Sequence, residues 1–107
     1  MKAGKYSVFK AIADPTRREI IRLLVIASGA LTINSIQDKF ASSRQAVTKH
    51  IKLLSSAGLI VIEQKGRERY CHIDVTPLKE VLDWVSHYEQ FKKYRSDVTK
   101  KELATHF

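Results

Sequence analysis

The side chains best suited to chemistry in this sequence lie along one short stretch, residues 43–57. Apolar residues recur there at helical spacing and form one inward stripe of Ala46, Val47, Ile51, Leu54 and Ala57. The opposite face of the predicted helix carries Arg44, Gln45, Thr48, Lys49 and Lys52. Arginine and lysine pair with guanine and glutamine pairs with adenine, so such a face can read base edges in the major groove of DNA. The alternative interpretation is a solvated charged face.

The start of this helix is also predicted. Ser42 and Gln45 stand at the spacing of a capping box, in which the serine oxygen and the glutamine amide satisfy backbone donors of the first turn. Ser43 and the first N–H groups suit a phosphate, because a helix N-terminus attracts anions. Gly58 is expected to end the helix.

Positive charge is concentrated in two segments of the 107-residue chain, whose formal net charge is +8. Residues 1–22 and residues 43–69 each carry six Lys or Arg against two acidic residues, and the remaining segments are balanced. This distribution is expected if one face of the protein meets a polyanion. A solvated basic surface would have the same composition.

Composition and length indicate one globular domain, with 44% apolar and 28% charged residues. No apolar run could span a bilayer, and the N-terminus lacks the apolar stretch of a secretory signal, so we expect no membrane partner and a cytoplasmic location. A single cysteine, Cys71, excludes an internal disulfide and a cysteine-rich zinc site. The sequence has no phosphate-binding loop or nucleophile motif, so we expect neither an enzyme nor a cofactor.

The elements that must position the helix follow from patterns along the chain. Residues 5–13 form a short amphipathic helix, after which Asp14 and Pro15 cap and begin a core helix that extends to about residue 27. The apolar surface of that core helix is wide and comprises Ile20, Ile21, Leu23, Leu24 and Ile26. Residues 33–40 form the first helix of a pair whose second member is the basic helix.

The second half of the chain is predicted to add a hairpin and a long helix. Residues 59–64 and 69–75 are strands joined by the four-residue loop 65–68, and the hairpin carries Lys65, Arg67 and Arg69. Thr76 and Pro77 cap and begin a helix that reaches about residue 95. We therefore predict a mainly α domain with a β-hairpin over residues 1–95, and a frayed or disordered extension over residues 96–107.

The last helix has more aromatic surface than three helices and a hairpin can cover. We therefore predict a homodimer in which this helix and the N-terminal helix pack against their symmetry mates. The residues expected at that interface are Tyr6, Phe9, Val81, Trp84, Val85, Tyr88 and Phe91. The alternative is that the helix closes the core of its own chain.

This order of elements is that of a winged helix-turn-helix, and the sequence resembles the ArsR/SmtB family of bacterial repressors. The matching segments are ADPTRREIIRLL (13–24), SSRQAVTKHIKLLSSAGLI (42–60), KGRERYCHI (65–73) and PLKEVLDWVSHYEQF (77–91). The resemblance implies a homodimer that binds double-stranded operator DNA and blocks transcription, with the basic helix in the major groove and the hairpin wing beside it. It places DNA contacts on Arg44, Gln45, Thr48 and Lys49.

The wing adds three expected DNA contacts. Arg67 at its tip is placed to enter the minor groove, and Lys65 and Arg69 are placed to hold the phosphate backbone.

Many members of the family release DNA when a metal binds, but the usual ligands are missing from this sequence. The thiolate pair of some members would fall near residues 34–36, which contain no cysteine. On the last helix only Asp83 and His87 remain, and two ligands make a poor transition-metal site, although a dimer would supply two copies. We therefore expect no metal site, and the sequence identifies no small-molecule effector.

Two other functions remain open. A nonspecific architectural protein would bind DNA without selecting a palindrome, and a protein-interaction module would use the aromatic last helix, although the basic face argues against the latter. Cys71 in a wing strand is expected to be a small buried residue, with redox sensing as the alternative. His50 is expected to be packed or hydrogen-bonded, whereas His72 and His106 have no evident partner.

Overall fold

Five helices and three strands build the chain in the computed structural model, which describes residues 6–97 and the side chains of residues 6–92. In chain order they are α1 (Val8–Ala11), α2 (Pro15–Ile26), β1 (Ala30–Thr32), α3 (Ile33–Gln37), α4 (Arg44–Ser56), β2 (Ile60–Lys65), β3 (Glu68–Ile73) and α5 (Leu78–Asp97). The strands form one antiparallel sheet in the order β1-β3-β2. The predicted mainly α fold with a β-hairpin wing is confirmed.

The hydrophobic core lies between α2, α3, α4 and the sheet. Its largest fully buried aliphatic side chains are Ile20, Leu24, Ile36, Val47, Ile51, Leu54, Leu59 and Ile60. Four members of the predicted inward stripe of α4 are buried, namely Val47, Ile51, Leu54 and Ala57, whereas the fifth, Ala46, is half-buried. On α2 the apolar surface is narrower than predicted, because Ile26 at its end is 64% exposed. Burial of the stripe leaves the opposite face of α4 available to a partner.

The basic helix α4 begins one residue later than the predicted capping box requires. Ser43 is the cap, and its Oγ accepts a hydrogen bond from the backbone N–H of Ala46 at 3.1 Å. The expected capping box between Ser42 and Gln45 is therefore wrong, since the acceptor and its donor are each shifted by one position. Arg44 and Gln45 stand in the first turn.

The wing is a tighter hairpin than predicted. Lys65 pairs with Glu68 in the strand register, so the connection is the two residues Gly66 and Arg67 instead of four. Gly66 has a φ of +61°, which suits the first position of a type II′ turn. The two charged residues flanking the turn therefore belong to the ladder, and β3 ends at Ile73, short of the predicted residue 75.

Several helix boundaries also differ from the predictions. Helix α1 is only four residues long, and α3 ends at Gln37, although Phe40 beyond it still packs on the core. Helix α5 begins at Leu78, one residue later than predicted, and in the segment before it the carboxylate of Asp74 accepts the N–H of Thr76 at 3.0 Å. It continues to Asp97, two residues beyond the predicted end of the helix. The rest of the predicted extension lies outside the described residues, as does residue 5.

Helix α5 packs against α1 through aromatic side chains. The rings of Phe9 and Trp84 meet edge to face at a centroid distance of 5.9 Å, and those of Trp84 and Tyr88 lie 5.2 Å apart. Within residues 6–97 neither α5 nor any other helix has the length and hydropathy needed to cross a membrane.

Candidate nucleic-acid interface

The outer face of α4 brings together the five polar side chains that the sequence pattern placed there. They line one shallow depression of about 470 Å³, formed by Arg44, Gln45, Thr48, Lys49 and Lys52. Thr48 is half-buried and the other four are exposed, as is Ser43 at the cap. Three cations, an amide and a hydroxyl on one helix face can donate to base edges and to phosphates.

The side-chain amide of Gln37 joins α3 to this face. Its Nε2 donates to Oγ1 of Thr48 at 2.7 Å and to the backbone carbonyl of Arg44 at 3.3 Å. Its Oε1 accepts a hydrogen bond from Nη1 of Arg44. One residue of α3 therefore orients two of the predicted DNA contacts. No periodic pattern indicates this role, since Gln37 is a polar residue at the end of a short helix.

Arg44 is also held by an acid. Its Nη2 lies 2.7 Å from Oδ1 of Asp38, and its Nη1 lies 3.5 Å from Oδ1 of Asn34. The side chains of Arg44 and Asp38 are 60% and 64% exposed, so the pair faces solvent. A bidentate contact from Nη1 and Nη2 of Arg44 to a guanine would exchange these acceptors for base atoms. The sequence analysis did not anticipate Asn34 or Asp38 at this surface.

The inner side of α4 is anchored by a buried arginine. Arg17 of α2 is 9% exposed, and its guanidinium donates to the carbonyls of Ala11 at 2.7 Å and Lys10 at 3.0 Å. Its Nη1 lies 3.1 Å from Nδ1 of His50. Arginine has no acceptor, so Nδ1 accepts and the proton of the neutral imidazole is on Nε2. The expected hydrogen-bonded role of His50 is confirmed.

Asp14 completes this anchor. Its carboxylate accepts the backbone N–H of Arg17 at 3.1 Å, which confirms it as the cap of α2, and lies 4.0 Å from Nδ1 of His50. Partial burial disfavours the charged carboxylate, but the backbone hydrogen bond from Arg17 and nearby positive charge outweigh it and lower the pKa of Asp14. The carboxylate of Asp14 therefore caps α2 and also lies next to the His50 contact that anchors α4.

The wing lies beside α3. Its basic residues Lys65, Arg67 and Arg69 are all exposed. Two of them, Arg67 and Arg69, line a cleft of about 160 Å³ together with Asn34 and Gln37 of α3. Because Asn34 and Gln37 also bond to Arg44, α3 connects the wing to the outer face of α4. Two of the three predicted wing contacts, Arg67 and Arg69, thus belong to one continuous surface with the predicted helix contacts.

Two residues of wing strand β3, His72 and Cys71, were considered in the sequence analysis for a partner and for redox sensing. Nε2 of His72 lies 2.8 Å from Oε1 of Glu63 on the neighbouring strand, so the expectation that His72 has no partner is wrong. His106 lies outside the described residues. Cys71 is completely buried in the core, and this burial raises the pKa of its thiol to about 11, although the charge of Arg69 acts in the opposite direction.

The pair considered as a metal site lies on the exposed side of α5. Nδ1 of His87 bonds to the backbone carbonyl of Asp83 at 2.9 Å, and the carboxylate of Asp83 pairs with Lys79 at 3.2 Å. No third histidine, cysteine or carboxylate from residues 6–92 converges on them.

The residues predicted at a dimer interface share one side of the chain, to which α1 and α5 both contribute. Tyr6, Phe9 and Val81 are half-buried and pack on the core of their own chain. The others retain large exposed fractions, 55% for Trp84, 40% for Val85, 56% for Tyr88 and 55% for Phe91.

Known proteins with a similar sequence are helix-turn-helix proteins and transcriptional regulators. Residues 12–63 match a family described as a helix-turn-helix domain. Over 82 residues the chain is 34% identical to the transcriptional repressor SdpR of Bacillus subtilis (strain 168). The alignment covers 77% of this chain and 89% of that protein.

Solved structures are similar over most of the chain. The crystal structure of an ArsR family transcriptional regulator is 30% identical with a TM-score of 0.70, covering 79% of this chain and 91% of that one. The solution structure of a homodimeric winged helix-turn-helix DNA-binding domain from Mycobacterium bovis, a possible ArsR-family regulator, is 26% identical with a TM-score of 0.59, covering 76% of each chain.

Proposed function

This chain belongs to the ArsR family of winged helix-turn-helix, DNA-binding transcriptional regulators, and we propose that it represses transcription as a homodimer bound to a palindromic operator. The observation that carries the proposal is the continuous basic surface formed by the outer face of α4, α3 and the wing. Its relatives are regulators and not enzymes, so the function is binding, and the cytoplasm is where it acts.

In the proposed complex α4 lies in the major groove. Within residues 6–92 the side chains of Gln45 and Lys49 form no hydrogen bond or ion pair, so both can contact base edges without breaking an intramolecular bond. Gln45 pairs with adenine and Lys49 donates to guanine. Thr48 accepts from Gln37 and so keeps its own hydroxyl proton for a phosphate, or presents its methyl to thymine.

The flanking basic residues hold the duplex in register. Ser43 donates its hydroxyl proton to a phosphate at the start of α4, and Lys52 contacts the backbone further along the groove. On the wing, Arg67 enters the minor groove while Lys65 and Arg69 contact phosphates. These contacts fix the position of α4, and α4 then supplies the sequence preference.

A homodimer supplies the two-fold symmetry of the operator. The exposed aromatic side chains of α5, continuous with Phe9 of α1, offer an apolar surface that a symmetry mate can cover. Two copies of α4 then read half-sites about one DNA turn, roughly 34 Å, apart. In this arrangement residues 1–95 serve as one DNA-binding and dimerisation domain, to which residues 96–107 are an extension.

Metal does not act as the inducer in this proposal. Asp83 and His87 would be the ligands of an α5 site, yet the Asp83 carboxylate is paired with Lys79 and one ring nitrogen of His87 is bonded to the backbone. Two such groups per chain make a weak site for a transition metal.

Selection from a pool of randomised duplexes tests the function. We expect the protein to enrich an imperfect palindrome, with an affinity that falls steeply with salt because the dimer neutralises about 6 to 10 phosphates. Binding without an enriched palindrome would indicate an architectural protein. Association with a protein partner that survives nuclease treatment, without DNA binding, would indicate an interaction module.

A further inference from the structure

The connection between α3 and α4 places a carboxylate against the basic outer face of α4. Asp38 follows the last residue of α3, and its side chain is 64% exposed and 2.7 Å from Nη2 of Arg44. An exposed ion pair contributes little to folding stability. The same carboxylate would lie near DNA phosphates in the proposed complex and would repel them. Its largest effect is therefore expected on DNA binding.

Arg44 is restrained from more than one direction. Asp38, Gln37 and Asn34 all accept hydrogen bonds from its guanidinium, and all three come from α3 or the residue after it. If Arg44 left this position, the Asp38 carboxylate would face the duplex without its cation. Leaving is favourable only where the DNA offers two well-placed acceptors, as the O6 and N7 atoms of guanine do.

We propose that Asp38 is a specificity-determining residue, which holds Arg44 away from random DNA and so lowers nonspecific affinity more than operator affinity. On random DNA the ion pair persists, and Arg44 adds little to the attraction of the surface for phosphates. On the operator the loss of the ion pair is offset by contacts to a base. This inference rests on the proposed function, since it requires α4 to lie in the major groove.

The variant Asp38→Asn tests it on two duplexes, the strongest duplex recovered by selection and a scrambled duplex of the same base composition. Freed from its ion pair, Arg44 can contact a phosphate, so affinity for the scrambled duplex should rise roughly three- to tenfold. Affinity for the selected duplex should rise by less than about twofold, because Arg44 has already left Asp38 in that complex and the variant removes only the small cost of breaking an exposed ion pair. The salt dependence on the scrambled duplex should steepen by about one phosphate.

A matched control separates this effect from net charge. Asp83 of α5 is 61% exposed and pairs with Lys79 at 3.2 Å, so Asp83→Asn removes the same charge from a similar ion pair on an element that does not form the α4 surface. Asp83→Asn should change the affinity for both duplexes alike and by less than about twofold. Thermal unfolding of both variants should match that of the wild-type protein.

A second comparison tests whether Asp38 acts through Arg44. Arg44→Ala should lower affinity for the scrambled duplex in the wild-type background, because it leaves the Asp38 carboxylate without its cation, and should lower it by a larger factor in the Asp38→Asn background, where Arg44 itself contacts a phosphate. Equal effects in the two backgrounds would mean that Asp38 acts independently of Arg44.

The failure of each idea has its own signature. If the wild-type protein enriches no sequence, the proposed function is overturned and the inference with it. If the wild-type protein enriches a palindrome but Asp38→Asn changes the affinity for both duplexes equally, or lowers the affinity for the scrambled duplex, only the inference is overturned.

Discussion

Nη1 of Arg17 lies 3.1 Å from Nδ1 of His50, and this contact joins α2 to the inner side of the helix that carries the candidate DNA-binding surface. The same guanidinium donates to two carbonyls at the end of α1. One buried side chain therefore fixes three helices relative to each other. The orientation of α4 depends on this contact as well as on its apolar stripe.

Replacement of Arg17 by methionine should therefore destabilise the fold. The change removes the hydrogen bonds to Ala11, Lys10 and His50 from a site with 9% exposure, and we expect a loss of about 2–4 kcal/mol in the free energy of unfolding. Urea denaturation measures it. The neighbouring Arg18 is exposed and bonds to one carbonyl, so Arg18→Met is the control and should cost less than about 1 kcal/mol. Similar losses for both would refute the anchoring role of Arg17.

Substitution on α5 should separate the proposed dimer. Tyr88 is 56% exposed, and Tyr88→Glu would place a charge in the proposed interface, so sedimentation at micromolar concentration should shift from dimer towards monomer. Val61→Glu is the control, since Val61 is 55% exposed but lies on β2 of the wing. A wild-type protein that sediments as a monomer, or two variants that behave alike, would exclude dimerisation through α5.

The outer face of α4 could be predicted because the apolar period that buries Val47, Ile51 and Leu54 also assigns the remaining positions to the opposite side. The roles of Gln37 and Asp38 could not, because they depend on where α3 ends and on how the chain turns before α4. The apolar pattern also could not show which of two adjacent serines caps α4. Ser42 and Ser43 are both good caps, and only the packed position of α4 distinguishes them.

The wing shows the same limit on prediction. A glycine near the turn indicated a hairpin, but the length of the loop depended on whether Lys65 and Glu68 join the ladder, which they do. The bond between His72 and Glu63 follows from that register, since it joins side chains on neighbouring strands. Sequence spacing alone does not specify a register of this kind.

Cys71 should react slowly in the folded protein. Its pKa of about 11 leaves it protonated at pH 8, and its side chain is fully buried, so the rate with a chromogenic disulfide reagent should be roughly a hundredfold below that of the urea-unfolded chain. The raised pKa also means that stability should decline as pH rises above about 8.5, where only the unfolded state loses this proton. Rapid reaction of the native protein would restore redox sensing as an explanation.

Zinc should leave operator binding unchanged. Asp83 and His87 already bond to Lys79 and to the backbone, and with no third ligand in residues 6–92 we expect micromolar zinc to alter the affinity for a selected duplex by less than about twofold. Protein stripped with a chelator provides the reference state. Release of DNA on titration with zinc, reversed by the chelator, would contradict the proposal.

The central claim is that α4 reads sequence while the wing holds the backbone, and two alanine substitutions compared on the selected and scrambled duplexes test it most directly. Gln45→Ala should weaken binding to the selected duplex by about 1–3 kcal/mol and leave the scrambled duplex nearly unaffected. Lys65→Ala should weaken both duplexes alike and reduce the salt dependence by about one phosphate. Equal losses on the two duplexes for both substitutions would contradict the assignment of sequence reading to α4.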